Sequence, residues 1–300
     1  MPTVIFPCRT GRGWEWFLPS YDFHQHLWPE ELLSLLSRRS ELPRLKGTEL
    51  ELPEGTFELD LGEHRLKRRL ELLDRHEIDV AIVSLQPTIG WEMEPELAEA
   101  FDEGIGEVIA ASGGRIEAFA CGECRPGFVG ACVSSYRLMG DMEELAHALR
   151  KRGQLLFVHP GLPAPVPVGA PPWWTAVVDY TTQMQAAYAG WLAGGAARHP
   201  ELPVVFGLLA GGAPFQLERL AARGGDAELA ASANVHFEPS SYGPRALRLC
   251  LDSFGADRLV FGSDTPVLDP GETLSGLREL GEEITQKICS ENPTRLLGER

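Results

Sequence analysis

The sequence predicts an α/β protein, a single-domain (β/α)8 barrel with loop insertions. Two patterns carry that reading. Eight short apolar runs recur along the 300 residues, almost all separated by segments with helical periodicity. Apolar strands alternating with helices imply a parallel sheet covered on both faces, and eight such units suit a closed barrel of roughly 250 residues plus insertions. A doubly wound open sheet is the competing architecture. No Gly-x-Gly-x-x-Gly follows a first strand to support it.

The first run, "YDFHQHLW" (21–28), is the first strand, with His24 and His26 on one face and Gln25 on the other. Residues 29–63, rich in Leu, Glu and Pro, read as an insertion. "EHRLKRRLELLDRHE" (63–77) is an amphipathic helix whose basic residues form a solvated face. "DVAIVSLQP" (79–87) is a buried strand, and the helix 95–114 stops at a Gly pair. "RIEAFACGECRP" (115–126) and "GACVSSYRLMG" (130–140) are strands three and four. "DMEELAHALRKRG" (141–153) carries helix signals at both ends, an Asp start with acidic first turn and a basic last turn before Gly.

"QLLFVHPG" (154–161) is strand five, followed by a Pro-rich loop (162–174) and a helix over 175–198. "PVVFGLLAGG" (203–212) and "NVHFEPSS" (234–241) are strands six and seven, followed by helices over 213–223 and 244–255. "RLVFGSDTPV" (258–267) is strand eight. Residues 271–298 read as helical, broken near Pro293.

Composition narrows the partners. A formal charge of −16 argues against nucleic acid and anionic membrane surfaces, since both demand a basic face. No apolar run approaches the roughly 20 residues that span a bilayer. The N-terminus lacks a basic start followed by an apolar core, so no signal peptide is expected and a cytoplasmic location is the default. The six cysteines are scattered and suit free buried thiols. Cys121 and Cys124 form one CxxC with no second pair at zinc-ribbon spacing, and read as ordinary strand-end residues.

Barrel chemistry sits at the C-terminal strand ends. That rule gathers His24 and His26 from strand one, His159 from strand five and Asp264 from strand eight. Three imidazoles and a carboxylate at one mouth make a divalent-metal site. Taken singly, each is as well explained as a hydrogen-bonded histidine or a turn aspartate.

Over residues 21–298 the ordered set "DFHQHLW", "LLFVHPG", "GGAPF", "RLVFGSDTP" and "ENPTRLL" resembles the amidohydrolase-related metal-dependent hydrolases. That branch of the amidohydrolase superfamily holds sugar lactonases and the aminocarboxymuconate-semialdehyde and resorcylate-type decarboxylases. The resemblance implies that His24, His26, His159 and Asp264 bind the metal; in the hydrolytic reading Asp264 also accepts the proton of the attacking water. No lysine occurs in 127–140, so a carbamylated-lysine bridge between two metals is not expected. One divalent ion is, zinc first and manganese second.

One departure stands out. The family carries a histidine at the end of strand six, two residues before the Gly-Gly, where this chain has Leu209. Leucine can neither accept a proton nor donate a hydrogen bond. His236 on strand seven reads as structural, and His199, before strand six, should face the opposite end of the barrel.

Arg125 and Arg137 are candidates for binding a substrate carboxylate, with a solvated arginine as the alternative for each. Trp28 and Trp173 are candidates for substrate contact, and Trp91 and Trp174 for a lid beside them. Glu123 lies near the mouth as a further acid or base. The expected activity is metal-dependent hydrolysis of a small oxygen-rich or carboxylated substrate, lactones first. The alternatives are non-oxidative decarboxylation and, because of Leu209, a barrel that binds without turnover. A small-molecule substrate and a homodimer are the expected partners.

Overall fold

Seven parallel strands run in strict chain order around the sheet in the computed structural model, which describes residues 6–10 and 13–298. They are β1 (Tyr21–Gln25), β2 (Val80–Val83), β3 (Ile116–Cys121), β4 (Gly130–Ser134), β5 (Leu155–His159), β6 (Val204–Phe206) and β7 (Val235–Phe237). The eighth position is filled by residues 259–265. Val260 N donates to Phe237 O on β7 (3.1 Å), and Phe23 N on β1 donates to Phe261 O (2.8 Å). Parallel bridges Phe237↔Leu259 and Gln25↔Thr265 complete the closure. The result is a (β/α)8 barrel.

This segment is not the regular strand expected over 258–267. Asp264 has φ +67°, which breaks the extended run, and two bridges replace a continuous ladder.

The strand residues divide between two cores. Phe23, Ile82, Phe119, Cys132, Phe157, Val205 and Val260 pack together inside the barrel, with Phe119 and Phe157 stacked at 5.1 Å. Ala81, Val83, Ala118, Val133, Val158, Val204 and Phe206 pack outward against the helices. The strict alternation expected of β1 is interrupted, because its register against β2 shifts between Asp22 and Gln25. Phe23 therefore fills the barrel interior while His24 and His26 still reach the mouth.

The helical layer follows the expected order. α1 (Glu30–Arg38) lies in the insertion after β1, together with a three-stranded antiparallel sheet of Arg44–Lys46, Glu49–Leu52 and Gly55–Glu58. α2 (Leu66–His76), α3 (Pro95–Ala111) and α4 (Glu143–Arg152) precede β2, β3 and β5. α4 ends on Gly153 at φ +63°, where the left-handed cap favours glycine. A pair of antiparallel strands, Phe6–Thr10 and Gly13–Phe17, precedes the barrel.

Four local expectations are corrected. Pairing in 130–140 stops at Ser134, whose Oγ accepts from Arg137 N and caps the turn Ser135–Leu138. Strand pairing in 203–212 stops at Phe206. Leu208, Leu209 and Ala210 then adopt φ of +54°, +48° and +50° ahead of Gly211 and Gly212, a left-handed turn costing about 1–2 kcal/mol per non-glycine residue. The C-terminal break falls at Gly281 (φ +111°), not near Pro293. Pro293 is accommodated because a wide turn over Lys287–Glu291 precedes it, so its missing N–H interrupts no regular ladder. Finally, the basic face of α2 is not wholly solvated, because Arg69 is fully buried.

Among the described residues, no helix is long and apolar enough to cross a membrane. Cys121, Cys124, Cys132, Cys250 and Cys289 are free thiols.

Candidate metal centre

His24, His26, His159 and Asp264 each offer one ligand atom to a common point, and these atoms lie within 4.8 Å of one another. His24 Nε2 is 3.2 Å from His26 Nε2 and 3.5 Å from Asp264 Oδ1, and His26 Nε2 is 3.1 Å from Asp264 Oδ1. Donors bound about 2.0–2.1 Å from one ion at tetrahedral angles stand about 3.3 Å apart. The three separations among His24, His26 and Asp264 fit a single divalent ion, with His159 close enough to join them.

The far side of each imidazole supports the same reading. His24 Nδ1 lies 2.7 Å from Glu238 Oε2, His26 Nδ1 2.9 Å from Ser84 O, and His159 Nδ1 2.9 Å from Pro160 O. Carbonyls and carboxylates only accept, so each Nδ1 carries a proton and Nε2 is the nitrogen turned to the centre, where on His24 a bound cation would take the place of the second proton that Glu238 and Asp264 favour. Backbone carbonyls and a buried carboxylate thus set all three tautomers.

The electrostatics favour a cation here. Burial pulls the His24 ring toward neutrality, but Glu238 and then Asp264 outweigh it and lift its pKa to about 9. Burial, then His24 and His26, hold His159 well below the usual histidine value. For Asp264 burial pushes upward, but His24 and His26 prevail and leave the carboxyl below its ordinary value. The three histidines are buried, whereas the Asp264 side chain keeps 18% exposure, so access comes from its side.

At β4 the position level with His159 is Ser134. Its Oγ and N–H both donate to the Glu92 carboxylate, at 2.5 and 2.9 Å. No lysine stands there, in keeping with one ion rather than two.

Three groups at the mouth were not anticipated. Glu238, fully buried, follows β7 and anchors His24; Ser240 N also donates to it. Its signal in the sequence is a charged residue at the C-terminal end of an apolar strand, two positions after His236. His64 is buried against Trp28, with rings stacked at 5.2 Å and Nδ1 accepting from Trp28 N at 3.0 Å; its Nε2 has no partner among the described residues. The Tyr180 phenol is pushed up by burial and then by the charges of Glu54, Asp179 and Asp264. The turn carrying Glu54 joins two strands of the insertion sheet, so the insertion brings a negative charge within electrostatic reach of Tyr180.

The remaining candidates are placed as follows. Arg125 is turned toward the helical layer, its Nε 3.1 Å from buried Asp102 on α3 and 3.2 Å from Glu123. Arg137 is exposed and donates to Gly122 O at 2.9 Å. A Cβ at Gly122 would collide with that guanidinium, and the backbone there has φ +65°. Trp28 is buried with its Nε1 donating to Gln86, and Trp91 is buried on Leu85 O. Trp173 is 56% exposed and stacks on Trp174.

Leu209 does not occupy the strand-six position at the site. The left-handed turn sends it into the helix-side core, and Leu208 is the residue whose N–H lies 3.4 Å from Glu238 Oε2. His236 is fully buried 3.2 Å from Asn234, outside the four-residue cluster, and His199 stacks on Trp191 in the helical layer.

Comparison with solved structures finds the same barrel at low identity. IDCase from Metarhizium anisopliae superposes with a TM-score of 0.77 at 18% identity, covering 93% of this chain and 97% of that one. 5-Carboxyvanillate decarboxylase from Sphingomonas paucimobilis gives 0.72 at 17%, covering 93% and 99%. Dihydroxybenzoic acid decarboxylase from Polaromonas sp. JS666, with bound manganese and the inhibitor 2-nitroresorcinol, gives 0.68 at 17%, covering 94% and 97%. Among curated proteins, none matches this chain. The family model described as Amidohydrolase matches residues 25–298, nearly the whole barrel with three of the four converging side chains, His26, His159 and Asp264, and the chain belongs to that family of enzymes.

Proposed function

We propose that this chain is a mononuclear metal-dependent hydrolase of a small oxygen-rich or carboxylated substrate, with lactones first. The observation that carries the reading is Asp264, a carboxylate held ionised beside His24 and His26 on the accessible side of the cluster. His24, His26, His159 and Asp264 would hold one divalent ion, zinc first and manganese second, which when bound would supply polarisation of a carbonyl and a more acidic water. Asp264 accepts the proton that the attacking water loses. An activated ester needs little more, which suits a mouth without the strand-six histidine.

Non-oxidative decarboxylation is the second reading. The observation favouring it is that two of the three similar structures described above are named as decarboxylases of aromatic acids. It requires a cation for the substrate carboxylate, and Arg137 at the rim is better placed for this than Arg125, which Asp102 already engages. Trp173 and Trp28 would form the apolar wall. A homodimer is the expected assembly, with exposed Tyr136, Met139 and Val177 as its apolar surface.

The test loads the chain with zinc or with manganese and offers a panel of sugar lactones and 2,6-dihydroxybenzoate. Acid release from a lactone establishes hydrolysis, and carbon dioxide from the benzoate establishes the second reading. Retention of a compound without turnover of any would leave a binding protein.

A further inference from the structure

The β1–strand-eight seam contributes three of the four converging ligands, and it is stitched by a buried polar chain. Asp22, Gln25 and Arg69 are all fully buried. Asp22 Oδ1 accepts from His24 N (3.1 Å) on its own strand and from Ser263 N (3.0 Å) across the seam. Its Oδ2 accepts from Gln25 Nε2 (2.7 Å), and Gln25 Oε1 accepts from Arg69 Nη1 (2.8 Å). Arg69 Nη2 donates to the carbonyl of His26 itself (3.0 Å) and to Glu63 O (3.1 Å). Beside this chain, Asp264 N donates to His24 O (2.7 Å) and His26 N to Thr265 O (2.6 Å).

We propose that Asp22, Gln25 and Arg69 are positioning residues that set the register of β1 against strand eight, and so place His24, His26 and Asp264 for the metal. The chain has a fixed polarity. A guanidinium only donates and a carboxylate only accepts, so the Gln25 amide has one acceptable orientation, oxygen to Arg69 and nitrogen to Asp22. Strand pairing alone would leave this seam loose, since it holds only isolated bridges and β1 is already irregular. Among the described residues only Arg69 Nε lacks a partner in the Asp22–Gln25–Arg69 network, and the paired groups specify one arrangement.

Polarity supplies the test. In Asp22→Asn the new amide must face either Gln25 Nε2 or the N–H groups of His24 and Ser263, a donor–donor conflict either way. The double variant Asp22→Asn/Gln25→Glu lets the new amide donate to Glu, which still accepts from Arg69, and keeps the local charge. The inference rests on the metal centre proposed above, and the readout is zinc affinity of the full chain by chelator competition, with circular dichroism as the fold check. The single variant is expected to bind zinc at least tenfold more weakly, or to misfold, and the double to return within about threefold of the original chain. A single variant that binds as tightly as the original, or a double no better than the single, overturns the relay alone. Absence of zinc binding by the unaltered chain overturns the metal centre, and the relay's purpose with it.

Discussion

His24 Nδ1 and Glu238 Oε2 stand 2.7 Å apart, both fully buried, although 214 residues separate them in the chain. Glu238 fixes the proton on Nδ1 and raises the affinity of the ring for positive charge at Nε2. Glu238→Gln keeps the shape and removes the charge. We expect metal affinity to fall about 10–100-fold with the fold intact, measured by chelator competition beside circular dichroism.

Asp264 is both a ligand atom and the proton acceptor in the hydrolytic reading. Asp264→Asn retains an oxygen donor but cannot accept a proton. Turnover should drop about 10²–10⁴-fold per metal bound. Kinetics normalised to metal content decide this, and a loss that merely tracks lost metal would remove Asp264 from the proton-transfer role.

Because the four donors are buried or nearly so, an ion bound there stabilises the native state alone. Chelation should lower the melting temperature, and zinc at 100 times its Kd should add about 2.7 kcal/mol. Calorimetry with and without zinc checks the shift, and replacing both His24 and His26 by Ala should abolish it.

Two histidines outside the cluster make the fold acid-sensitive. Burial, then Arg258 and Arg295, lowers the His236 pKa to about 3, and burial, then Arg69 and His26, lowers that of His64 to about 3. Unfolded, both titrate near 6.5, so between about 6.5 and 3 the unfolded chain binds more protons. Stability is therefore complete above about pH 6.5 and falls with pH through that window, by at most about 1.4 kcal/mol per pH unit for each group. His64→Asn keeps an acceptor for Trp28 N and should flatten the slope. Urea midpoints measured from pH 7 to pH 4.5 would show it; an unchanged slope assigns the acid sensitivity elsewhere.

Leu208 holds φ +54° beside Glu238, a backbone region where histidine is far better tolerated than leucine. Leu208→His should therefore fold, and it places a titratable ring next to the centre. Turnover of whichever substrate is found should rise at least several-fold. The same substitution at Leu209 should destabilise, because that side chain is packed in the helix-side core; thermal melts of the two variants separate the positions.

The barrel and its cluster were legible because both rest on local patterns. Apolar runs at strand length mark the sheet, and the spacing in "DFHQH", "FVHPG" and "GSDTP" puts polar groups at strand ends, where a barrel collects them. Helix ends marked by Asp141 and Gly153 follow the same logic of unpaired terminal N–H and carbonyl groups.

What only the tertiary structure decided depends on which strand ends become neighbours. Glu238 means nothing until closure of the barrel brings the end of β7 to the same mouth as β1, and Arg69 reads as a surface residue until α2 lays it against the His26 carbonyl. Arg125 looked free until Asp102 on α3 met it, and the exchange of Leu209 for Leu208 followed from a left-handed turn that no period of apolar residues encodes. The sequence by itself determined the barrel and its four convergent donors, through periodicity and position. The partners that orient those donors came from contacts between residues distant in the chain, where the low dielectric of the interior makes an unpaired polar group costly and so selects specific mates for the metal-facing rings.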